Sequence, residues 1–293
     1  MKPGWAPPVA IAMLLGSAGL GAVLARPMRE PLPPAIVGLD HIPVAVGDLE
    51  RASERYRALG FALKPGTPHE NGIRNQHVKF TDGTEIELIT APTARDALTT
   101  TYRRHLDAGD GPAFLAFYAP SIDLVAERLD ATRRSYRRDR GFLDLPDTDA
   151  LRYIFFGPRN RSPTDRPEHF RHPNSAESLI AVWLADDNLS EERAMIEALG
   201  GTVGREEVHV PEATSAVVAH LQEGDVVLLS GSHQLVPGRR IVGATVRVAS
   251  LAAARRLLER GPWPAPRTQS AGRHSSVFLP PSITYGIWLE LRE

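Results

Sequence analysis

Residues 38–61 read GLDHIPVAVGDLERASERYRALGF, and this stretch decides the fold. Its first part alternates, with Ile42, Val44 and Val46 on one side and His41, Pro43 and Ala45 on the other, the period of a strand. Beyond Asp48, the residues Leu49, Ala52, Tyr56 and Leu59 recur at three- and four-residue steps, which predicts a helix, and Gly60 ends it. Strand-like runs follow over residues 75–80 and 85–90, with an Asp82-Gly83 turn between them. The unit is therefore a strand, a helix and two or three further strands, spanning roughly residues 37–92.

The same order returns three times. Residues 111–119 (GPAFLAFYA) open a second unit, whose helix carries Ile122, Val125 and Leu129 and whose strands fall at 140–143 and 151–156. Residues 178–201 (SLIAVWLADDNLSEERAMIEALGG) open a third, with Leu199-Gly200 repeating Leu59-Gly60 and strands at 203–210, 215–220 and 226–229. Residues 241–261 (IVGATVRVASLAAARRLLERG) open a fourth, which closes with strands at 275–279 and in GIWLELRE at 286–293. One such unit is too small to bury a sheet face alone, so units must pair. The expected fold is α+β: four βαβββ units paired into two domains with curled mixed sheets, residues 36–174 and 175–293.

Composition narrows the chemistry. The 293 residues carry 34 Lys+Arg against 35 Asp+Glu, a balance without the long-range pull on phosphate that a nucleic-acid binder needs. A hydrophobic share of 42% and a charged share of 24% exclude a mostly disordered chain. Cysteine is absent, which removes disulfides, thiolate nucleophiles and Cys-ligated zinc. There is no GxSxG elbow, phosphate loop or dinucleotide fingerprint. At the N-terminus, Lys2 precedes an apolar stretch over residues 9–24 broken by Gly16, Gly19 and Gly21, and Val23-Leu24-Ala25 suits a signal peptidase. Residues 1–25 are expected to direct export to the periplasm or beyond. The alternative is an uncleaved membrane anchor over residues 9–25, the one membrane contact expected. Residues 26–35 (RPMREPLPPA) read as a Pro-rich linker.

The sequence resembles the glyoxalase-like, or vicinal-oxygen-chelate, superfamily, and within it the two-domain branch. The resemblance is carried by residues 38–61, by DGTEIELI at 82–89, AGDGPAFLAF at 108–117, PEHFRHPNSA at 167–176 and YGIWLEL at 285–291, and it covers residues 36–293. It implies paired units curled around a cavity. Members that do chemistry hold one divalent metal there, on ligands from the first and closing strands. Carried over, His41 and Glu87 become metal ligands in the first unit, Glu85 sharing the face of Glu87. Imidazole and carboxylate suit Fe, Mn, Ni or Zn. In the second unit Phe114 stands where a ligand is wanted. The set would then be completed by Glu168 or His172, with His169 also nearby, unless the His172-Pro173-Asn174 segment is a structural turn.

Asn75 and Phe114 are the expected substrate contacts. In the second domain Ala181 and Gly243 (or Val242) replace His41, and Glu290 alone matches a closing-strand acid, with His274 as its expected neighbour. The basic run Arg133, Arg134, Arg137, Arg138 and Arg140 reads as a solvated face or an attractor of anionic substrate. The implied function is an exported metal-dependent lyase, isomerase or dioxygenase acting on a small oxygenated molecule. The alternative is a metal-free protein that binds and sequesters a small ligand. Homodimer formation stays open. If export is correct, N-terminal sequencing of the mature protein will begin at Arg26; a chain that starts at Met1 and sediments with membranes would mean an anchor instead.

Overall fold

The computed structural model describes Met1 and residues 33–263, 267–271 and 274–293, with backbone only at residues 270, 271 and 274. Residues 2–32, on which the export and anchor readings rest, lie outside the described residues. Among the described residues no helix is long and apolar enough to cross a membrane.

The first unit runs β1 (Gly38–Ala45), α1 (Leu49–Ala58), β2 (Lys64–Pro65), β3 (Arg74–Lys79) and β4 (Glu85–Thr90). The Asp48 carboxylate accepts the Arg51 N–H at 2.9 Å and so caps α1, which buries Leu49, Ala52, Ser53 and Tyr56. The helix stops at Gly60, whose φ of +88° is the left-handed conformation that favours glycine. After it come α2 (Ala97–Asp107) and β5 (Gly111–Pro112), then the second unit: β6 (Leu115–Tyr118), α3 (Ile122–Ala131), β7 (Arg137–Asp139), β8 (Phe142–Asp144) and β9 (Ile154–Gly157). The third unit is β10 (Ala176–Ala185), α4 (Ser190–Ala198), β11 (Thr202–His209), β12 (Ala213–His220) and β13 (Asp225–Leu229). The fourth is β14 (Ile241–Val248), α5 (Leu251–Leu258), β15 (Arg267–Ala271), β16 (His274–Leu279), α6 (Pro281–Thr284) and β17 (Trp288–Arg292).

The units pair as expected. The first sheet has the order β2-β3-β4-β1-β6-β9-β8-β7, with β5 also on β1, and the second has β11-β12-β13-β10-β14-β17-β16-β15. In each sheet the opening strands of two units lie antiparallel at the centre, β1 with β6 and β10 with β14. Each opening strand is flanked by its own closing strand in parallel: β4, β9, β13 and β17. This is the mixed, twofold arrangement of paired units that the resemblance implies.

Strand alternation sorts the side chains. Ile42 and Val44 of β1, Phe117 of β6, Val182 and Leu184 of β10 and Val246 of β14 all join one continuous apolar core with the helices. The other sheet faces carry separate clusters: Ala45, Ile73, Ile89 and Tyr102 on the first, Ala181, Trp183, Val227 and Phe278 on the second. Helix α2 was not foreseen. Its signal was present in Asp96, which caps it through a reciprocal bond with Thr99, and in the spacing of Leu98, Tyr102 and Leu106.

Asn174 shows why the His172-Pro173-Asn174 segment is there. Fully buried, it donates from Nδ2 to the Leu59 carbonyl at 3.0 Å, so satisfying the end of α1, and its Oδ1 accepts the Ala176 N–H at 3.1 Å. Asn174→Ala would strand two buried backbone groups, at a cost of about 2–3 kcal/mol. Thermal unfolding of the variant is expected roughly 5 °C or more below wild type; an unchanged midpoint would deny the Asn174 side chain this role.

Candidate functional site

The parallel registers define four equivalent pairs of positions on the faces turned away from the helices. In the first unit, His41 stands two residues before Pro43, and Pro43 pairs with Glu87. The same relation gives Phe114 and Phe155 in the second unit, through Ala116. It gives Ala181 and Val227 in the third, through Trp183, and Gly243 and Glu290 in the fourth, through Thr245. His41 itself lies beside Ala116 across the central pair, so Phe114 is its counterpart by internal symmetry and not its strand neighbour. A Cβ at Gly243 would run into the Trp183 ring, which explains the glycine.

Only the first sheet places donors at a complete pair. A β-bulge between Leu39 and His41 breaks the ladder to β6, and Asp40 and His41, adjacent in sequence, meet there. The His41 Nδ1–H donates to Asp40 Oδ2 at 2.6 Å, and His41 Nε2 lies 3.8 Å from Glu87 Oε2, too far for a hydrogen bond. Asn75 Nδ2 donates to Glu87 Oε1 at 2.6 Å and fixes the carboxylate, while Asn75 Oδ1 is buried without a partner. His41 and Glu87 each keep 8% of their surface open. Aromatic rings close the other side: Phe155 edges onto His41 with centroids 5.3 Å apart, Phe114 lies 6.4 Å from Phe155, and Tyr102 of α2 lies 5.3 Å from Phe114. Tyr102 entered through the unforeseen helix.

The charges follow from these contacts. Burial alone would lower the His41 pKa, but the Asp40 hydrogen bond and the charges of Asp40, Glu85 and Glu87 outweigh it and raise it to about 9. His41 is then an imidazolium at neutral pH. Next to it, burial would raise the Glu85 pKa, but the hydrogen bond from His77 at 3.1 Å, the charges of His41 and His77 and the bond from Asn160 hold it down at about 2. Burial and the nearby Glu87 charge push the Tyr102 hydroxyl well above its ordinary range. Lys79, at 2.9 Å from Asp165 and 3.7 Å from Glu85, completes a neutralised buried cluster beside the site.

The other sequence candidates do not join this pair. His172 packs between Phe61 and Phe80, and both its ring nitrogens are committed: Nδ1 accepts the Ala62 N–H at 3.0 Å and Nε2–H donates to the Lys79 carbonyl at 2.9 Å. Glu168 sits exposed on a 3-10 turn beside Arg166, and His169 on the same turn accepts the Arg166 N–H. Glu290 is buried beneath four donor contacts, from Thr245, Ser276 and two nitrogens of Arg292. The His274 side chain lies outside the described residues. Three of the five arginines of the basic run lie in ion pairs away from the site, Arg134 with Asp149, Arg137 with Asp144 and Arg138 with Asp123.

These donors do not fit a mononuclear divalent metal held by three protein ligands. His41 and Glu87 supply two, but the symmetric positions hold Phe114 and Phe155. Among the described residues no group of three His, Cys, Asp or Glu is placed to hold a metal ion. The raised His41 pKa also has a consequence for stability. A raised folded-state pKa contributes stability below the unfolded value near 6.5, lost as pH rises through about 9. Denaturation of the wild type is expected to lose on the order of 2 kcal/mol over that window, a loss absent from His41→Gln; parallel pH profiles would contradict the charged imidazole.

With the geometry in hand, comparison with known proteins gives the lineage. Residues 39–218, more than half the chain, match the glyoxalase-like domain family. No curated protein matches the sequence. Among solved structures, a hypothetical protein from Staphylococcus aureus superposes with a TM-score of 0.56 at 14% identity, over 87% of this chain and 98% of that one. A mutant 4-hydroxymandelate synthase from Streptomyces coelicolor gives 0.61 at 16% identity over 89% and 92%. A catechol 2,3-dioxygenase gives 0.63 at 14% identity over 88% and 87%. At such identities the superpositions establish a shared fold. The chain belongs to the glyoxalase-like domain family, on the vicinal-oxygen-chelate fold.

Proposed function

We propose that this is a small-molecule-binding member of the family that works without a resident metal, and that the hollow of its first sheet takes a small oxygenated aromatic compound. One observation carries the reading: the four positions that twofold pairing brings together hold His41 and Glu87 on one side and Phe114 and Phe155 on the other. The gap of 3.8 Å between His41 Nε2 and Glu87 Oε2 suits a hydroxyl, which accepts from the imidazolium N–H and donates to the carboxylate. Asp40 and Asn75 orient the two groups, and the rings of Phe114, Phe155 and Tyr102 offer an apolar wall for the body of the ligand. A bound acidic hydroxyl would also lie within reach of a proton acceptor, so proton transfer between ligand and Glu87 is the chemistry the pair itself can support. Export, as residues 1–25 suggest, would place this binding outside the cytoplasm.

One observation favours a second reading, a metal-dependent enzyme: Asp40 on His41 and Asn75 on Glu87 are the kind of partners that orient metal ligands. Metal analysis of untagged protein decides between them. The expected result is well under 0.1 metal ion per chain, with phenol as probe binding wild type and each of His41→Gln and Glu87→Gln weakening it about tenfold or more. Stoichiometric Fe, Mn, Ni or Zn that is lost in the same variants would overturn this proposal in favour of a metal-dependent lyase, isomerase or dioxygenase.

A further inference from the structure

The second sheet curls around a cavity of its own, of about 370 Å³. Arg267 of edge strand β15 pairs with Glu212 of the β11–β12 turn at 3.0 Å, linking the two edges of the sheet. The floor is apolar, from Val210, Val218 and Val227, and Trp183 closes one end. The same indole also borders a neighbouring cavity of about 250 Å³ that reaches Trp288. Trp183 is fixed in place by its Nε1–H donating to Thr245 Oγ1 at 3.0 Å, and Thr245 in turn donates to Glu290.

The polar groups around this floor are unequal. Arg292, its guanidinium, grips Glu290 through both Nε and Nη2, so each cancels the other. That leaves Glu206, Glu207 and Asp225 on the lining. His220 bridges Glu206 at 2.7 Å and Asp225 at 2.8 Å and offsets one of these charges. Among the described residues the surround therefore keeps a net negative charge. Gln269 adds an acceptor: its Oε1 is buried on the lining without a hydrogen-bond partner. A buried acceptor left open is costly unless a donor reaches it. Apolar floor, negative rim and open acceptor agree on one ligand chemistry.

We infer that the second sheet's cavity is a separate binding site for an organic cation, an amine or ammonium group carried on an apolar body of about the size of a substituted ring. The ammonium meets the free carboxylate charge of the rim and donates to Gln269 Oε1, and the apolar part covers Val210 and Val227 against Trp183. This site shares no residue with the first-sheet pair, so it stands or falls apart from the function proposed there.

A matched probe series tests it: phenethylammonium, its neutral analogue 2-phenylethanol and the anion phenylacetate, titrated into the full chain by calorimetry and by amide shift mapping. Phenethylammonium is expected to bind at least tenfold more tightly than 2-phenylethanol, phenylacetate more weakly still, with shifts confined to β11–β13, β15 and β17. The Glu206→Gln/Glu207→Gln double variant should bring the ammonium and alcohol affinities to within about twofold of each other while leaving the alcohol's own unchanged. Gln269→Leu, a second variant with no charge change, should weaken the ammonium alone. Equal affinity for the three probes, no saturable ammonium binding at millimolar concentration, shifts centred on β1 and β4, or insensitivity to both variants would each overturn the inference.

Discussion

One geometric constraint governs the molecule: a parallel register between the opening and closing strand of each unit. It sets a residue of the opening strand beside the residue paired two places further on, and alternation sends both to the face away from the helices. A shift of one residue would send His41 and Glu87 into the apolar core and bring Ile42 and Leu88 out. The core therefore enforces the site. Val44, Leu88, Phe117 and Phe156 must be buried, and the polar residues between them have no choice of side.

Having fixed where four pairs stand, the fold leaves their identity free. The first pair is ionic, the second aromatic, the third aliphatic, and the fourth a glycine with a neutralised acid. A buried ion pair is expensive unless hydrogen bonds supply what water gave up. His41 and Glu87 meet this cost through Asp40 and Asn75, and Asp40 in turn faces Arg159 at 3.7 Å. Arg159 also reaches Glu223 of the second sheet's β12–β13 turn and lies over the Tyr118 ring. The charge at the first site is thus tied to the seam between the two halves of the chain, through one arginine.

The repeat was plain in the sequence because its signals are local and strong. A side-chain cap ahead of an apolar stripe recurs at Asp48, Ser121 and Ser250, and Leu59-Gly60 recurs at Leu199-Gly200, whereas α3 ends on Arg133 at a φ of +58°. The resemblance singled out His41, Glu87 and Asn75, and the structure brings their side chains together on one sheet face. Their hydrogen-bond partners were not legible. Asp40 reaches His41 because a bulge breaks the alternation, and bulges leave little trace in one sequence. Tyr102 arrives on a helix whose interior threonines masked its period. Glu168 and His172 looked like ligands because of their type, yet His172 is spent on the backbone of Ala62 and Lys79. Nothing in residue type alone distinguishes an imidazole that ties two loops from one that faces a hollow.

The two hollows diverge for a physical reason. In the first, α2 and the rings of Phe114, Phe155 and Tyr102 lower the polarity around a salt-bridged pair, which strengthens any interaction with a group entering the gap. In the second, the Trp183 ring lies over Gly243, the counterpart of Phe114, where any Cβ would collide with it. The open volume runs from Ala181, Val227 and Glu290 of the central strands to the carboxylates of edge strand β11. Duplication supplied two equal frames; in the second, Trp183 and the apolar Ala181 and Val227 line the sheet's centre, and the open carboxylates stand on the edge strand, so the cavity presents a different charge from the ionic pair of the first.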